Sequence, residues 1–378
     1  MLLEKIYLEC KSKCFSIFSE NGDHFNDCYN QYSNYIHLIN NVFIFINHSQ
    51  WLGGASKFLH EIVLHYEINS TIDNILILDA GYGKLKEDCY YGLLKHKPLY
   101  YNNIEELYNL ISFFKPICIL VNSIGIFIKN LIFFEKFLSI TVLYFHETLK
   151  MIKYIEENII KYLQCIHKNT CILFTTKNVE KDFITTFKFT NTYVLTPFLT
   201  QKMIVELDSY DKPENFNQLE IDKSKITFIM SGTVEHRKGY DIFKNLSLLL
   251  PQFNFIWIGG KIINPYVNII TRENFFHISH ILNPFYYYTY GDYFLLTSRD
   301  EPFGLVIIES LYLNLPCIVL ENNIKYKHEE SDYYISLQNH NNNPSIISDK
   351  LCSLQLQKRI NINSKSYIQE NFCWNSKK

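Results

Sequence analysis

The chain has 378 residues, 47% of them hydrophobic, and its 36 Lys and Arg nearly balance its 38 Asp and Glu. That length and composition supply two ordinary domains with cores of their own, which excludes disordered and fibrous proteins. The formal net charge of -2 gives no general attraction for nucleic acid, so we expect no nucleic-acid partner.

The first half of the chain alternates apolar runs of strand length with longer helix-compatible segments. This alternation is typical of a parallel sheet covered by helices. The predicted strands are residues 42–46, 74–78, 117–121, 141–145 and 171–175. We therefore predict an N-terminal Rossmann-like domain over residues 1–200, in which residues 1–40 form an extension of unclear role.

Polar sequence with Pro213 interrupts the alternation over residues 201–224, which predicts an interdomain linker. A second series of strands follows, at residues 226–230, 253–258, 275–278, 293–297 and 316–320. This series predicts a C-terminal Rossmann-like domain over residues 225–378. The predicted class is α/β, with two doubly wound domains that face each other across a cleft, where ligands of open parallel sheets bind.

Glycine is scarce, with 13 in the whole chain, so each one is expected to serve a backbone purpose. Seven of them follow predicted strands, namely Gly53, Gly54, Gly232, Gly239, Gly259, Gly260 and Gly304. The carboxyl ends of parallel strands share one edge of a sheet. These glycines are therefore predicted to lie at the cleft.

The ten cysteines show no CxxC or Cys/His zinc spacing, and the histidines show no ligand spacing either. We therefore predict free thiols in a reducing compartment and no metal site. The amino terminus lacks the pattern of a secretory leader, and polar residues interrupt the longest apolar stretch, residues 116–134. Both features predict a cytoplasmic protein, with contact to the cytosolic face of a membrane left open.

The segment from Tyr293 to Ser310 runs from a predicted strand through Glu-Pro-Phe-Gly into a predicted helix. The helix-start amides, those of Phe303, Gly304 and Leu305, have no partner within the helix and are suited to bind a phosphate. Glu309 lies about 7 Å further along the helix, at about 1.5 Å per residue. That distance matches the reach from a diphosphate to a ribose, whose two hydroxyls suit a carboxylate acceptor.

The loop from Ser231 to Gly239 adds two cations, Arg237 and Lys238, on the same side of the predicted sheet. They are suited to neutralise a diphosphate, a role that a divalent metal often fills. Two other interpretations stay open. Adjacent basic residues are often only a solvated pair, and a carboxylate such as Glu309 is favoured near a helix start by the helix dipole alone.

These motifs resemble the GT-B-fold retaining glycosyltransferases of family 4, the group 1 glycosyl transferases, which use nucleotide-diphosphate sugars. The family signature is a Glu, seven residues and a second Glu, seen here as Glu301 and Glu309. The supporting matches are Arg237-Lys238-Gly239, the Gly53-Gly54 turn, and His146-Glu147 after the strand at residues 141–145. Together they extend over about residues 42 to 320.

The resemblance implies a role for each matching residue of the second domain. Glu309 would bind the ribose, and Arg237 with Lys238 would bind the diphosphate. Glu301 and the helix-start amides would face the transferred sugar and the distal phosphate. One position departs from the family, because many members have an Arg where this chain has Thr233.

In the first domain, which would bind the acceptor, the resemblance places Gly53 and Gly54 near the distal phosphate and His146 near the sugar ring. The residues implied to be catalytic are therefore Glu301, His146 and Lys238. The family continues past a Phe-x-Trp segment, here ending at Trp374, into a helix that returns to the first domain, whereas four residues follow it here.

The expected activity is retaining, metal-independent transfer of a hexosyl or hexosaminyl unit from a UDP- or GDP-sugar to a hydroxyl. The expected acceptor is a glycan, a lipid-linked glycan or a protein glycan, and no cofactor is expected beyond the nucleotide sugar. Such a reaction relies on electrostatic stabilisation of the leaving diphosphate instead of paired catalytic carboxylates. Two alternatives stay open: a nucleotide-sugar epimerase or hydrolase of GT-B fold, and a catalytically silent GT-B binding scaffold.

Overall fold

The computed structural model divides the chain into two compact units, Met1–Thr196 and Pro197–Lys378, and each unit contains one seven-stranded sheet. The residues that the structure describes are 2–3, 5–6, 38, 40, 42–47, 55–56, 58–59, 62–63, 74–80, 99–123, 135–155, 163, 166, 170–210, 219–260, 270–279, 281, 283–321, 323–326, 333–358 and 362–373.

The first unit is a parallel sheet with helical segments between its strands. Its strands are β1 (Phe43–Asn47), β2 (Ile75–Ala80), β3 (Leu99–Tyr101), β4 (Cys118–Asn122), β5 (Thr141–Phe145), β6 (Cys171–Phe174) and β7 (Thr192–Val194). In the described part of this unit, the helices with both ends defined are α1 (Ile104–Phe114), α2 (Leu149–Ile155) and α3 (Lys177–Phe187), and a 3₁₀ helix lies at Glu135–Ile140. The strand order is β3-β2-β1-β4-β5-β6-β7, and every neighbouring pair is parallel.

The direction of the strand order reverses between β1 and β4, because the chain adds β2 and β3 on one side of β1 before it returns to the other. Loops that leave the carboxyl ends of two such strands diverge, and the crevice between them is the usual ligand position of a doubly wound sheet. Asn47 and Asn122 are register partners at the ends of β1 and β4. The switch point of the first sheet is therefore marked by two polar side chains.

The second unit has a similar doubly wound topology with an antiparallel strand at one edge. Its strands are β8 (Thr227–Ser231), β9 (Asn254–Ile258), β10 (Ile270–Arg272), β11 (Phe275–Ile278), β12 (Tyr293–Leu296), β13 (Cys317–Leu320) and β14 (Tyr334–Leu337). Its helices are α4 (Gln201–Asp208), α5 (Tyr240–Leu249), α6 (Phe285–Tyr288), α7 (Leu305–Tyr312), α8 (Pro344–Ser353) and α9 (Ser364–Phe372). The order is β10-β11-β9-β8-β12-β13-β14, with only the edge pair β10 and β11 antiparallel, so the switch point lies between β8 and β12.

Burial and side-chain caps explain where these elements form. Strands β5 and β9 are buried along their whole length, because helices cover both faces of a parallel sheet. Asn103, Thr176 and Asn343 accept hydrogen bonds from first-turn amides of α1, α3 and α8. Lys115 and Lys188 end α1 and α3 in the left-handed conformation, which bends the chain into the next strand.

All ten strands predicted from the sequence are present, and the doubly wound α/β class is confirmed. The sequence missed β3, β7, β10 and β14, which are the edge strands of the two sheets. Three of them are only three residues long, and the described side chains of β7 are only half-buried. Such short segments do not show the continuous apolar run on which the prediction depended.

The segment predicted as a linker, residues 201–224, begins with helix α4. The α4 side chains Met203 and Leu207 are buried in the core of the second unit, together with Leu199. The division between the units accordingly falls after Thr196, ahead of that helix. Residues 211–218 lie outside the described part of the chain.

The five cysteines among the described residues are free thiols, and four of them are buried, namely Cys118, Cys171, Cys317 and Cys373. Strand β4 occupies the start of the apolar stretch at residues 116–134, whose residues 124–134 lie outside the described part. Within the described residues, no helix combines the length and the apolar character that crossing a bilayer requires.

Candidate functional site

Two loops of the second unit leave the sheet on either side of its switch point. The loop after β8 contains residues 232–239, and the loop after β12 contains residues 297–304. Because β8 and β12 are hydrogen-bonded neighbours, their loops emerge side by side at the carboxyl edge. This is the position at which an open parallel sheet binds its ligand.

The two loops are held together by close backbone packing at Gly239. This residue precedes α5 with a φ of 72°, and a Cβ built on it would lie 2.0 Å from the Thr297 carbonyl oxygen. The Thr297 hydroxyl donates to the carbonyls of Lys238 and Gly239 at 3.3 and 3.1 Å. Glycine is therefore required here both by conformation and by space, and the contact sets the position of Lys238.

Lys238 and Glu301 form an ion pair between the two loops. The distance from Lys238 Nζ to Glu301 Oε2 is 2.6 Å, and the side chains are only 17% and 10% exposed. Ser298 Oγ donates to the same carboxylate oxygen at 3.3 Å. The pair brings together the two residues of this unit that the resemblance implies to be catalytic.

The charge state of Glu301 follows from its neighbours. Burial of its carboxyl group raises its pKa, but the positive charges of Lys238 and Arg237 and the hydrogen bonds from Lys238 and Ser298 outweigh that effect. The net result is a lowered pKa for Glu301. The carboxylate is therefore ionised at neutral pH and holds the Lys238 ammonium group in place.

The backbone of Glu301 is fixed as firmly as its side chain. Its amide donates to Asn323 O at 2.7 Å, and its carbonyl accepts from Lys325 N at 2.8 Å. These bonds form an isolated parallel bridge between Glu301 and Ile324. The carboxylate is therefore presented from a rigid support, as an accurate binding site requires.

Helix α7 begins beside this ion pair. Gly304 is its N-cap residue with a φ of 85°, and it has no side chain with which to cap the first amides of the helix. The Phe303 ring is buried, and its centroid lies 5.0 Å from that of Tyr326 and 6.1 Å from that of Phe372. The Phe303 side chain thus anchors the helix start in the core, while the amides remain suited to an anion.

Glu309 lies on the second turn of α7 and is buried. Burial raises the pKa of the Tyr288 hydroxyl well above its ordinary value, and the negative charge of Glu309 adds to that effect. Tyr288 itself packs with its ring parallel to that of Phe294. The Tyr288 ring therefore belongs to the packing of α6 against β12.

Arg237 and Arg299 each donate to one carboxylate and to one backbone carbonyl around the two loops. Arg237 donates to Glu235 Oε1 at 2.7 Å and to the Asp300 carbonyl at 3.3 Å. Both terminal nitrogens of Arg299 bind the Asp241 carboxylate at 2.7 Å each. Arg299 also donates to the His236 carbonyl at 2.6 Å, so it ties the two loops together from their outer side.

His277, on β11, holds the backbone that follows the neighbouring strand β9. Its Nε2 donates to the Gly259 carbonyl at 2.7 Å, and its Nδ1 accepts from the Tyr240 hydroxyl at 3.2 Å. Burial lowers the pKa of His277, which keeps the ring neutral in this arrangement. A Cβ on Gly259 would lie 2.2 Å from the Gly232 carbonyl oxygen, so this glycine is also required by close backbone approach.

In the first unit, His146 follows β5 at the carboxyl edge. Its Nε2 lies 2.7 Å from Asn122 Oδ1, and its ring centroid lies 4.0 Å from that of Tyr144. The neighbouring Glu147 is buried and accepts hydrogen bonds from the Ser123 hydroxyl and the His146 amide. The sequence did not indicate Asn122 as a site residue, although a polar residue that ends a buried strand was a usable signal.

The structure thus brings Lys238 and Glu301 into contact, with the start of α7 beside them. His146 belongs to the other unit, and Gly53 and Gly54 lie outside the described residues. Among the described residues, no group of three or more His, Cys, Asp and Glu side chains is placed to hold a metal ion.

Comparison with known proteins gives sequence matches over part of the chain. Residues 211–354 match the family model of glycosyl transferases group 1. An uncharacterised 41.2 kDa protein in the cps region of Klebsiella pneumoniae is 30% identical over 127 residues. That alignment covers 32% of the present chain and 35% of the relative, so the chain matches about a third of the relative's length.

Solved structures are similar over most of the chain. Sucrose-phosphate synthase from Thermosynechococcus elongatus has a TM-score of 0.62 and 16% identity, covering 89% of this chain and 96% of its own. Anabaena Alr3699/HepE, in complex with UDP and glucose, has a TM-score of 0.62 and 14% identity, covering 88% and 95%. WaaG, a glycosyltransferase involved in lipopolysaccharide biosynthesis, has a TM-score of 0.56 and 12% identity, covering 87% and 95%. The fold is GT-B.

The GT-B fold and the match over residues 211–354 together support the glycosyltransferase superfamily for this chain. The matched region contains Lys238, Glu301 and Glu309. His146 lies outside it, in the other unit of the GT-B chain.

Proposed function

We propose that the protein is a retaining glycosyltransferase of family 4 that transfers a hexosyl or hexosaminyl unit from a UDP- or GDP-sugar to a hydroxyl of a glycan, a glycolipid or a protein glycan. The single observation that carries this proposal is the buried Lys238–Glu301 pair beside the start of α7, which no side chain caps. A phosphate that approaches this helix start meets the helix dipole and the Lys238 ammonium group together. The bound UDP and glucose of the Anabaena relative support the choice of donor.

In this proposal the reaction is driven by electrostatics. Cleavage of the bond between the sugar and the diphosphate leaves negative charge on the departing phosphate oxygen. Lys238, Arg237 and the helix-start amides stabilise that charge without a metal ion. The departing oxygen accepts the proton of the acceptor hydroxyl, which attacks on the same face of the sugar, so the anomeric configuration is retained.

The remaining site residues position the donor. Glu309 accepts hydrogen bonds from the two ribose hydroxyls, and Glu301 faces the hydroxyls of the transferred sugar. When the donor binds, the Lys238 ammonium group donates to the phosphate as well as to Glu301. For the first unit, the resemblance implies a role for Gly53 and Gly54 toward the distal phosphate and for His146 toward the sugar.

The test is an incubation of the purified chain with a panel of UDP- and GDP-sugars and candidate hydroxyl acceptors. We expect nucleotide release that depends on the acceptor, and a product with the anomeric configuration of the donor by NMR. Nucleotide release or epimerised sugar without an acceptor indicates the epimerase or hydrolase, and tight binding without turnover indicates a binding scaffold. Inversion of configuration overturns the retaining mechanism.

A further inference from the structure

A hydrogen-bonded series of side chains joins the carboxyl ends of β1, β4 and β5 in the first unit. Ser56 Oγ donates to Asn47 Oδ1 at 3.2 Å, and Asn122 Nδ2 lies 3.4 Å from the same oxygen. Asn122 Oδ1 lies 2.7 Å from His146 Nε2. Asn47 and Asn122 are both fully buried, which is unusual for asparagine and requires their polar atoms to be satisfied.

The orientation of the Asn122 amide is determined by its surroundings. Its Nδ2 donates to the backbone carbonyl of Ala55 at 3.1 Å, and a carbonyl oxygen can only accept. The side facing Ala55 must therefore be the NH₂ group, and the side facing His146 must be the oxygen. A reversed amide would place two acceptor oxygens against each other in a buried site.

This orientation determines where His146 carries its proton. Because Asn122 Oδ1 can only accept, the 2.7 Å contact requires a proton on His146 Nε2. A neutral imidazole that is protonated on Nε2 has its lone pair on Nδ1, so it can only accept a hydrogen bond at that atom. The tautomer of His146 is thus set by the neighbouring strand.

The ring of His146 is also held sterically. Its centroid lies 4.0 Å from that of Tyr144 and 6.4 Å from that of Phe58. The Tyr144 hydroxyl donates to the Leu195 carbonyl at 2.6 Å, which fixes the tyrosine in turn. Ring packing and the hydrogen bond to Asn122 together leave His146 one orientation at the carboxyl end of β5, next to the switch point.

We infer that Asn122 is a positioning residue of the transfer reaction, which holds His146 as the Nε2-protonated tautomer so that it meets the sugar as a hydrogen-bond acceptor. The kinetic part of this inference rests on the proposed function, whereas the tautomer does not. Asn122 makes no contact with the sugar in this inference. It acts through His146, and Asn47 and Ala55 hold it in turn.

The first test is NMR of the full chain with ¹⁵N-labelled histidine, with His146 assigned by its loss in His146→Gln. We expect wild-type His146 to have a protonated Nε2 and a downfield, slowly exchanging N–H proton. That proton resonance is lost in Asn122→Leu, which removes the oxygen that accepts from Nε2. Thr141→Val is the matched control. It removes a buried hydrogen bond of 2.8 Å from Thr141, which lies on β5 of the same sheet, to the Phe137 carbonyl. We expect the His146 resonance to stay unchanged in this variant.

The second test is a double-mutant cycle on turnover. We expect Asn122→Leu to lower kcat by up to about a hundredfold, with a smaller change in KM, since misplacing a site group costs rate more than binding. In the His146→Gln background the same substitution has no further effect, because Asn122 acts only through that ring.

Each test can overturn the inference separately. A wild-type His146 that is protonated on Nδ1, or an unchanged Nε2–H resonance in Asn122→Leu, overturns the assignment of the tautomer and needs no activity. Additive effects in the cycle overturn the positioning role. If no sugar is transferred at all, the proposed function fails while the NMR result stands on its own.

Discussion

Lys238 Nζ lies 2.6 Å from Glu301 Oε2, so two residues implied to contact different parts of one ligand are paired with each other. The pair spans the switch point of the second sheet, since Lys238 follows β8 and Glu301 follows β12. Its energetics and its proposed role in catalysis can be separated by mutation.

Lys238→Met removes the charge but keeps much of the apolar stem. We expect turnover to fall more than a hundredfold, equivalent to about 3 kcal/mol of transition-state stabilisation. We also expect the free energy of unfolding to fall by about 3 kcal/mol, because Glu301 is left buried without its partner. Turnover assays and urea unfolding of the same preparation measure the two effects.

The double variant Lys238→Met with Glu301→Gln serves as the control for that substitution. It contains no unpaired buried carboxylate, so most of the lost stability should return while turnover stays low. A double variant that regains turnover would show that Lys238 acts only through folding.

The lowered pKa of Glu301 predicts how stability depends on pH. Unfolding returns this carboxyl group to its ordinary pKa of about 4.3, so the unfolded state binds more protons at acidic pH. The stabilising contribution is fully present above that pKa and is lost as the pH falls through the lower folded value. Urea unfolding of the wild type and Glu301→Gln from about pH 7 down to pH 3 measures it. The stability difference between them should shrink on acidification, and a constant difference contradicts the assignment.

Gly239→Ala tests the packing between the two loops. The substitution forces alanine into a left-handed conformation, which costs about 1 to 2 kcal/mol, and its Cβ would meet the Thr297 carbonyl at 2.0 Å. We expect a loss of unfolding free energy beyond that range, measured by urea denaturation. Gly232→Ala is the matched control, since its nearest contact would be an ordinary 3.5 Å to Lys238 and its stability should stay within about 1 kcal/mol of the wild type. Equal losses in the two variants contradict the close approach.

Arg299→Lys tests whether the outer connection of the loops affects the site. Lysine cannot reproduce the two parallel hydrogen bonds to Asp241 or the third bond to the His236 carbonyl. Asp241 is half-exposed, so we expect a stability loss below about 1 kcal/mol. Because the bonds position the loop that carries Lys238, we expect kcat/KM to fall about tenfold or more. Asp241→Asn weakens the same connection from the other side, so its kcat/KM should also fall. An unchanged kcat/KM in both variants would show that the connection between Arg299 and Asp241 does not affect the site.

Central strands could be predicted from the sequence, and edge strands could not. A strand buried on both faces, such as β5, needs a continuous apolar run, and that run is visible in the residues themselves. The segment Thr192–Val194 is half-buried at the edge of the sheet, so its side chains carry no such pattern. Helix α4 was missed for a related reason, because only its contacts with the core, through Met203 and Leu207, distinguish it from a polar linker.

The sequence by itself determined the alternation of strands and helices and the motif around Glu301 and Glu309, because backbone preferences and short-range spacing are local properties of a chain. Only the tertiary structure decided that Lys238 pairs with Glu301, that Arg299 binds Asp241, and that Asn122 orients His146. Those contacts join residues between 24 and 63 positions apart. Their geometry depends on which strands become neighbours at each switch point, and the order of strands in a sheet is set by packing of the whole unit.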